Sequence, residues 1–488
     1  MSLVERSVTS VGWNVGSNLL KIGILLARSI ILARLLPVEL FGVYALATSI
    51  VTFSGILPRF GTGGAFLHRA PETADEGSAA AVHFTLRLLL VVLWVGTLIL
   101  LALLFAEGLL RVALITLTIA YGGLYLTDTS RLILVRRVQH RRLAVLDLLN
   151  AIFTTLVAVA LARRGAGLAA LLATDLVTLA LTALVLFAWR PVWRPRLLWL
   201  REVAHYYLRF GSRTMTESAL SEALDNLDDI WIGANLGRNA LGLYSRAFTF
   251  ATYPRRLLAF PVFEVAGGTY AELKHEPHQL SQAFFRVNAL LLRSGFLMGG
   301  ALILIAPEFV ALLLGDKWLP MVTAFRLMAV YTLLDPIRAT VSQLFVAMGR
   351  PEQLLRTRVV QLAVLIVGLY TLGLRWGING VAVVMNVMLV IGLIWLLYRA
   401  HEYVRFSAAR LFLAPAVALG AGLLVAFIVL RVTCASPVGA SGCESDWLTA
   451  LLKAGSFVPA YLGVLFVLER SEFARFARLI RGALARST

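Results

Sequence analysis

Ionisable residues stand inside stretches apolar enough to lie in lipid. Lys21 and Arg28 fall within L-L-K-I-G-I-L-L-A-R-S-I-I-L-A-R, Arg59 follows Pro58, and Arg255 and Arg256 follow Pro254. A charge at such a depth is costly, so it usually faces a cavity or a partner. Arginine suits a phosphate because its planar fork gives bidentate hydrogen bonds. An opposite set lies in the stretch 204–236, which carries Glu222, Asp225, Asp228 and Asp229. Spacings of three and four put Glu222, Asp225 and Asp229 on one helix face, and Asp228 stands three residues from Asp225. The chemistry open to these groups is the holding of anions by the cations, and of a proton or cation by the carboxylates. Alternatively the two sets pair with each other and close a gate.

The two sets are linked by a weak repeat. Ile31-Leu-Ala-Arg-Leu-Leu-Pro-Val-Glu-Leu-Phe-Gly-Val-Tyr44 returns as Ile232-Gly-Ala-Asn-Leu-Gly-Arg-Asn-Ala-Leu-Gly-Leu-Tyr244, with one residue dropped. Each copy ends an apolar helix, turns, and opens the next on Gly-x-Tyr, as in transporters built from two similar halves. Matching Ala33 to Ala234 sets Lys21 opposite Glu222 and Arg28 opposite Asp229, so equivalent positions are basic in one half and acidic in the other. Pro58-Arg59 has a counterpart in Pro254-Arg255, and a proline there can free carbonyls toward a cavity. Two readings stay open: Lys21 and Arg28 pair with Glu222, Asp225 or Asp229, or they line a cationic cavity for an anionic headgroup.

The elements that must position these residues are membrane helices. Hydrophobic residues make up 59% of the 488, charged residues 15%, and mean hydropathy is +0.82. A soluble domain has about 45–50% apolar and about 25% charged residues. Apolar runs of about 18 or more residues recur, each long enough to span the bilayer. About fourteen spans are expected, over 10–33, 41–66, 79–106, 109–131, 143–162, 166–189, 204–236, 241–268, 281–314, 320–348, 354–374, 377–398, 409–431 and 447–468. The connections are short and leave no room for a soluble catalytic module. No cleavable signal is expected at the N-terminus. No Gly-x-x-x-x-Gly-Lys-Ser/Thr loop occurs, which argues against ATP hydrolysis by this chain. The net charge of +18 reads as cytoplasmic loop arginine rather than as a nucleic-acid surface.

With the N-terminus inside, the cytoplasmic loops hold groups such as Arg136, Arg137, Arg141 and Arg142, then Arg190, Arg194, Arg196 and Arg201, and the opposite loops hold few. Both termini are therefore expected in the cytoplasm. Cys434 and Cys443 then share one outward-facing loop, where a disulfide is favoured over two unpaired thiols. No histidine is near enough to make them a metal site, and no metal or cofactor is expected. In the tail 470–488, Phe473, Phe476, Ile480 and Leu484 recur at helical spacing among arginines. This is either an amphipathic helix on the anionic leaflet or a frayed basic tail.

The stretches L-A-R-L-L-P-V-E-L-F-G-V-Y-A-L-A, F-G-T-G-G-A-F-L-H-R and N-L-D-D-I-W-I-G-A-N-L-G-R-N-A-L-G-L-Y-S-R-A-F resemble the polysaccharide transporter family. This is the Wzx-type flippase branch of the multidrug/oligosaccharidyl-lipid/polysaccharide exporter superfamily. The resemblance implies an all-α polytopic fold with two pseudo-symmetric six-helix bundles around a central cavity. Those bundles would be 1–200 and 201–400, followed by two added helices in 401–469 and the basic tail 470–488. It implies no enzymatic bond chemistry. The cargo would be a polyprenyl-pyrophosphate-linked oligosaccharide, moved from the inner to the outer leaflet of a bacterial or archaeal cytoplasmic membrane. By position, Lys21, Arg28, Arg59, Arg255 and Arg256 would hold the pyrophosphate or glycan. Glu222, Asp225, Asp228 and Asp229 would gate or would couple a proton or sodium ion. Membrane lipids would be the other partners, and a monomer is compatible with the sequence. Rival readings are a lipid II flippase or a drug/cation antiporter of the same superfamily, and a membrane glycan polymerase.

Overall fold

A computed structural model describes residues 3–69, 75–434 and 446–470. Every regular element among them is helical. The order is α1 (Leu3–Leu35), α2 (Val38–Ser54), α3 (Ile56–Arg59), α4 (Thr62–His68), α5 (Glu76–Phe105), α6 (Gly108–Arg136), α7 (His140–Arg163), α8 (Leu168–Ala183) and α9 (Arg201–Asn235). Then come α10 (Arg238–Ala251), α11 (Tyr253–Glu272), α12 (Pro277–Glu308), α13 (Val322–Ala347), α14 (Glu352–Gly368), α15 (Leu374–Ala400), α16 (Ala408–Cys434) and α17 (Trp447–Leu468). Short π turns extend α8, α12 and α14. The side chains of Cys434 and Cys443, and the tail from 471 on, lie outside the described residues, and with them the disulfide and the amphipathic tail.

Nine stretches among the described residues are long and apolar enough to cross a membrane. α9, at 35 residues, is long enough, but its charges keep its mean hydropathy near zero. Two helices expected to be continuous are broken. The stretch expected over 41–66 divides into α2, α3 and α4, and that expected over 241–268 divides into α10 and α11. Each break lies within a few residues of a Pro-Arg pair, because proline has no N–H to donate back along the helix.

The helices pack as two compact units, Met1–Arg246 with Leu365–Val381, and Ala247–Val364 with Ala382–Thr488. In the first, α1 lies on α7, α7 on α8, α5 on α6, and α2 touches both α6 and α9. Buried Ala79, Ala80 and Ala81 let helices come close beside Phe66, Ile133 and Tyr207. Without a hydrophobic drive inside lipid, such small residues are what helix packing rests on. The repeat supplies a reciprocal contact in this unit. Gly42 abuts the carbonyl of Arg238, and Gly242 abuts that of Val38, so a side chain at either would strike backbone.

In the second unit α12 meets α11, α13, α16 and α17. Phe284, Leu292, Phe457 and Tyr461 are buried in its core. The C-terminal pair is tied down by polar contacts as well. Lys453 meets Glu308 at 2.5 Å, Arg293 makes a two-pronged pair with Glu469, and the Tyr461 hydroxyl donates to the Arg293 carbonyl at 2.8 Å.

Candidate substrate and coupling site

The break after α2 builds the setting of Arg59. Phe60 and Gly61 both take left-handed conformations, with φ of 40° and 62°. Gly61 lies against Thr214 and Gly211, where a side chain would collide. The turn folds the Arg59 side chain back along its own helix. Its Nε donates to the Gly55 carbonyl at 3.0 Å, and its Nη2 to the Thr52 carbonyl at 3.2 Å. Nη2 also donates to Glu222 Oε1 at 2.7 Å. Next door, Arg87 Nη1 donates to the Pro58 carbonyl at 3.1 Å.

Beside this turn is a cavity of about 400 Å³ whose lining includes Arg59, Gly61, Gly63, Gly64, Arg87, Asp128, Arg131 and Ser218. Ligand pockets commonly measure about 300–1,000 Å³. Three arginines and one carboxylate, Asp128, are thus among the lining residues. Arg87 is 2% exposed and stands 4.0 Å from Asp128. Arg131 reaches Asp147 at 3.3 Å. Gly61, Gly63 and Gly64 contribute backbone rather than side chains to the lining. Such a site can grip an anion by charge and forked hydrogen bonds; the Glu222 side chain that holds Arg59 is 23% exposed.

The acidic residues of α9 find different partners, and two polar contacts join α9 to α2. Thr52 Oγ1 donates to Asn226 Oδ1 at 2.7 Å, and Ser49 Oγ donates to Asp229 Oδ2 at 3.0 Å. Asp228 is buried, and Tyr244 donates its hydroxyl to Asp228 Oδ2 at 2.6 Å. The repeat's other tyrosine does the same, with Tyr44 donating to Asp175 Oδ2 at 2.8 Å. Asp225 has its own electrostatic partner. Among the described residues no cluster has the makings of a metal site.

Of the two readings left open for α1, the pairing with α9 is not formed in this structure. Lys21 Nζ meets Asp147 Oδ2 at 2.9 Å, and Arg28 Nη1 donates to Thr154 Oγ1 at 2.9 Å, so both reach α7 rather than the carboxylates of α9. The reason is packing: α1 lies along α7 over much of its length. Arg59, not Lys21, takes Glu222. Asp147 holds Lys21 and Arg131 together.

In the second unit Arg255 Nε lies 2.8 Å from Asp335 Oδ2. Arg338 Nε donates to Asp335 Oδ1, also at 2.8 Å. Arg256 is exposed and stacks over the Tyr253 ring. Sequence reasoning passed over Arg87, Asp147 and Asp335 as site residues. For Arg87 and Asp335 the signal was present, a charge well inside an apolar helix. Asp147 sits only a few residues into α7, where a surface role was the simpler reading.

A family model described as polysaccharide biosynthesis protein matches residues 31–323. The chain belongs to this family. Its members resembling it include the succinoglycan biosynthesis transport protein ExoT of Rhizobium meliloti (strain 1021). That match is 28% identical over 322 residues and covers 64% of each chain. The lipopolysaccharide biosynthesis protein WzxC of Escherichia coli (strain K12) is 21% identical over 358 residues, covering 72% of each. The chain thus spans less than two thirds of ExoT's length. Among solved structures, a lipid II flippase MurJ in an inward closed conformation superposes with a TM-score of 0.77 at 13% identity, covering 94% of this chain and 99% of that one. An inward-facing multidrug resistance MATE family transporter gives 0.59 at 19% identity, covering 78% and 95%. The fold of this polysaccharide biosynthesis protein is therefore that of the MurJ and MATE transporters. The chain is a membrane protein of the polysaccharide transporter family.

Proposed function

We propose that this protein flips a polyprenyl-pyrophosphate-linked oligosaccharide from the cytoplasmic to the outer leaflet. The observation that carries the reading is the arginine-walled cavity around Arg59, Arg87 and Arg131 in a transporter fold. A pyrophosphate esterified at both ends is a compact dianion, and three forked cations lining one cavity fit it better than they fit a neutral sugar or an organic cation. That argument also ranks the cargo above a cationic drug. The names of the relatives, polysaccharide transport and lipopolysaccharide biosynthesis, agree with a glycan attached to the lipid. The MurJ likeness gives the fold and leaves the choice between this cargo and lipid II to experiment.

The fuller proposal has fourteen spans, with both termini cytoplasmic in a bacterial inner membrane. Residues 1–200 and 201–400 form the bundles, and 401–469 add two helices. Lys21, Arg28, Arg255 and Arg256 join Arg59 in guiding the headgroup; Lys21 and Arg28 exchange Asp147 and Thr154 for phosphate as the states interconvert, while Arg255 keeps Asp335. Glu222, Asp225, Asp228 and Asp229 carry the coupling ion, a proton or sodium. Only an interaction that differs between states can move the equilibrium. Displacement of Glu222 from Arg59 by phosphate is such a difference, because it releases a carboxylate that must then find a proton or cation.

The test is export of lipid-linked glycan in cells lacking their own flippase, with membrane abundance measured alongside. Arg59→Ala and Arg87→Ala are each expected to lower export at least about tenfold, the loss of one charge-assisted hydrogen bond to a charged group. Export at wild-type level in both variants sinks the cavity assignment.

A further inference from the structure

The second unit holds a larger pocket, distant in sequence from the cavity residues and unused by the proposed transport step. It measures about 1150 Å³ and opens where the 273–276 turn meets the 401–407 connection. Lys274, Arg286, Arg405 and Arg410 line it together with His278 and His401. The lining contains one carboxylate, Glu402, and Arg399 already engages it at 2.5 Å. Lys274, Arg405 and Arg410 have no carboxylate partner among the described residues, and Arg286 makes only a 3.4 Å contact to Gln282. The four cations are held on a built framework. The Arg405 N–H donates to Ser281 Oγ at 2.9 Å, linking the 401–407 connection to α12, and His401 stacks on Phe406 with ring centroids 4.2 Å apart. Unpaired cations gathered around a concave surface mark an anion site.

The chemistry of the anion follows from where the pocket lies. Two stretches long and apolar enough to cross a membrane, Pro277–Leu314 and Ala408–Thr433, begin at it. The ends of such spans are where lipid phosphates lie. On each helix a cation is followed one turn inward by an exposed leucine on the same face. Arg286 precedes Leu290, which is 46% exposed, and Arg410 precedes Leu413, 64% exposed. A cation above an exposed apolar strip matches a molecule with a phosphate head and a hydrocarbon tail. A soluble phosphate would have no use for the strip.

We propose that this pocket is a binding site for the phosphate headgroup of an anionic phospholipid, with the acyl chains running over Leu290 and Leu413. It would fix the connection between α15 and α16 to the membrane surface, and it is independent of the transported cargo. Basic residues near an anionic leaflet each contribute enough attraction to change affinity about fivefold.

The test uses the full-length chain in nanodiscs and native mass spectrometry, with phosphatidylglycerol or phosphatidylcholine as the retained lipid. Wild type is expected to keep phosphatidylglycerol in preference to phosphatidylcholine. Arg405→Gln and Arg410→Gln are each expected to weaken that retention about fivefold, and the pair about twentyfold. Arg350→Gln, at an exposed arginine that lines no part of the pocket, is the control and is expected to change nothing. Equal retention of both lipids by wild type overturns the proposal, as does an Arg405→Gln/Arg410→Gln variant that binds like wild type. A separate arm titrates inorganic phosphate against the nanodisc-embedded chain. Phosphate binding that depends on Arg405 as strongly as phosphatidylglycerol does would overturn the lipid assignment in favour of a soluble anion.

Discussion

Arg59 and Arg255 each follow a proline at a helix break, and each reaches a carboxylate, Glu222 at 2.7 Å and Asp335 at 2.8 Å. The resemblance ends there. Glu222 is part-exposed beside a cavity, whereas Asp335 is fully buried and shared with Arg338. A carboxylate with one arginine and access to a cavity can be traded for another anion. A carboxylate locked between two arginines out of reach of solvent is a fixture, because uncovering it leaves buried charges without partners. The same local motif thus serves two ends, and the difference lies in what the neighbouring helices add.

That contrast is open to direct attack. Its largest expected effect is Asp335→Ala, which takes the shared buried carboxylate from Arg255 and Arg338 and should destabilise the protein by about 3–5 kcal/mol, read by thermal or denaturant unfolding in detergent. A loss under about 1 kcal/mol would make Asp335 as exchangeable as Glu222. Next comes Glu222→Gln. The half-open pair should cost at most about 1 kcal/mol of stability while shifting glycan export several-fold; a collapse in folded yield would move it to the structural class. Tyr244→Phe removes the donor to buried Asp228 and is expected to cost about 1.5 kcal/mol. Tyr44→Phe, opposite Asp175, should lose a similar amount. Unequal losses would show that the two repeat copies no longer carry equal weight. Lys21→Met comes lower still, because its pair with Asp147 is about one-third exposed on both sides, and no more than about 1 kcal/mol is expected.

The smallest effect concerns the start of α5. Asp75 caps the helix by accepting from the Ser78 N–H, and that bond holds its carboxyl below the usual 3.8. A lowered folded value contributes stability that is full above the unfolded pKa and lost as pH falls through the folded one. Asp75→Ala should therefore reduce protection of the α5 first turn in hydrogen exchange at neutral pH, and cease to differ from wild type in strong acid. A difference that persists at low pH would show that the cap does not depend on the charge.

How much of this was legible in the sequence differs from residue to residue. The membrane class and the family were plain, because long apolar runs have one stable home and the turn motifs at 31–44 and 232–244 were readable. The last helix was expected over 447–468 and runs over Trp447–Leu468. The repeat reappears as the reciprocal contact of Gly42 and Gly242 and as two tyrosines on buried carboxylates. The partner of Lys21 was not legible. Aligning the repeat copies pointed to α9, while the packing of α1 along α7 delivered Asp147. Arg87 showed as a charge inside a 30-residue apolar helix, but nothing in the local sequence tied it to Arg59 and Arg131, which only packing brings beside it.

The sequence by itself determined that this chain lives in a membrane, that it carries charges there, and that the motif at 31–44 resembles the one at 232–244. Those properties belong to composition and local order, and no folding is needed to express them. The tertiary structure decided which charge meets which. An ion pair depends on distances of a few ångströms between residues as far apart as Arg59 and Glu222 or Arg293 and Glu469, and helix packing alone sets those distances. It also decided which pairs stand beside a cavity and which are sealed, and so which arginines remain available to an anion.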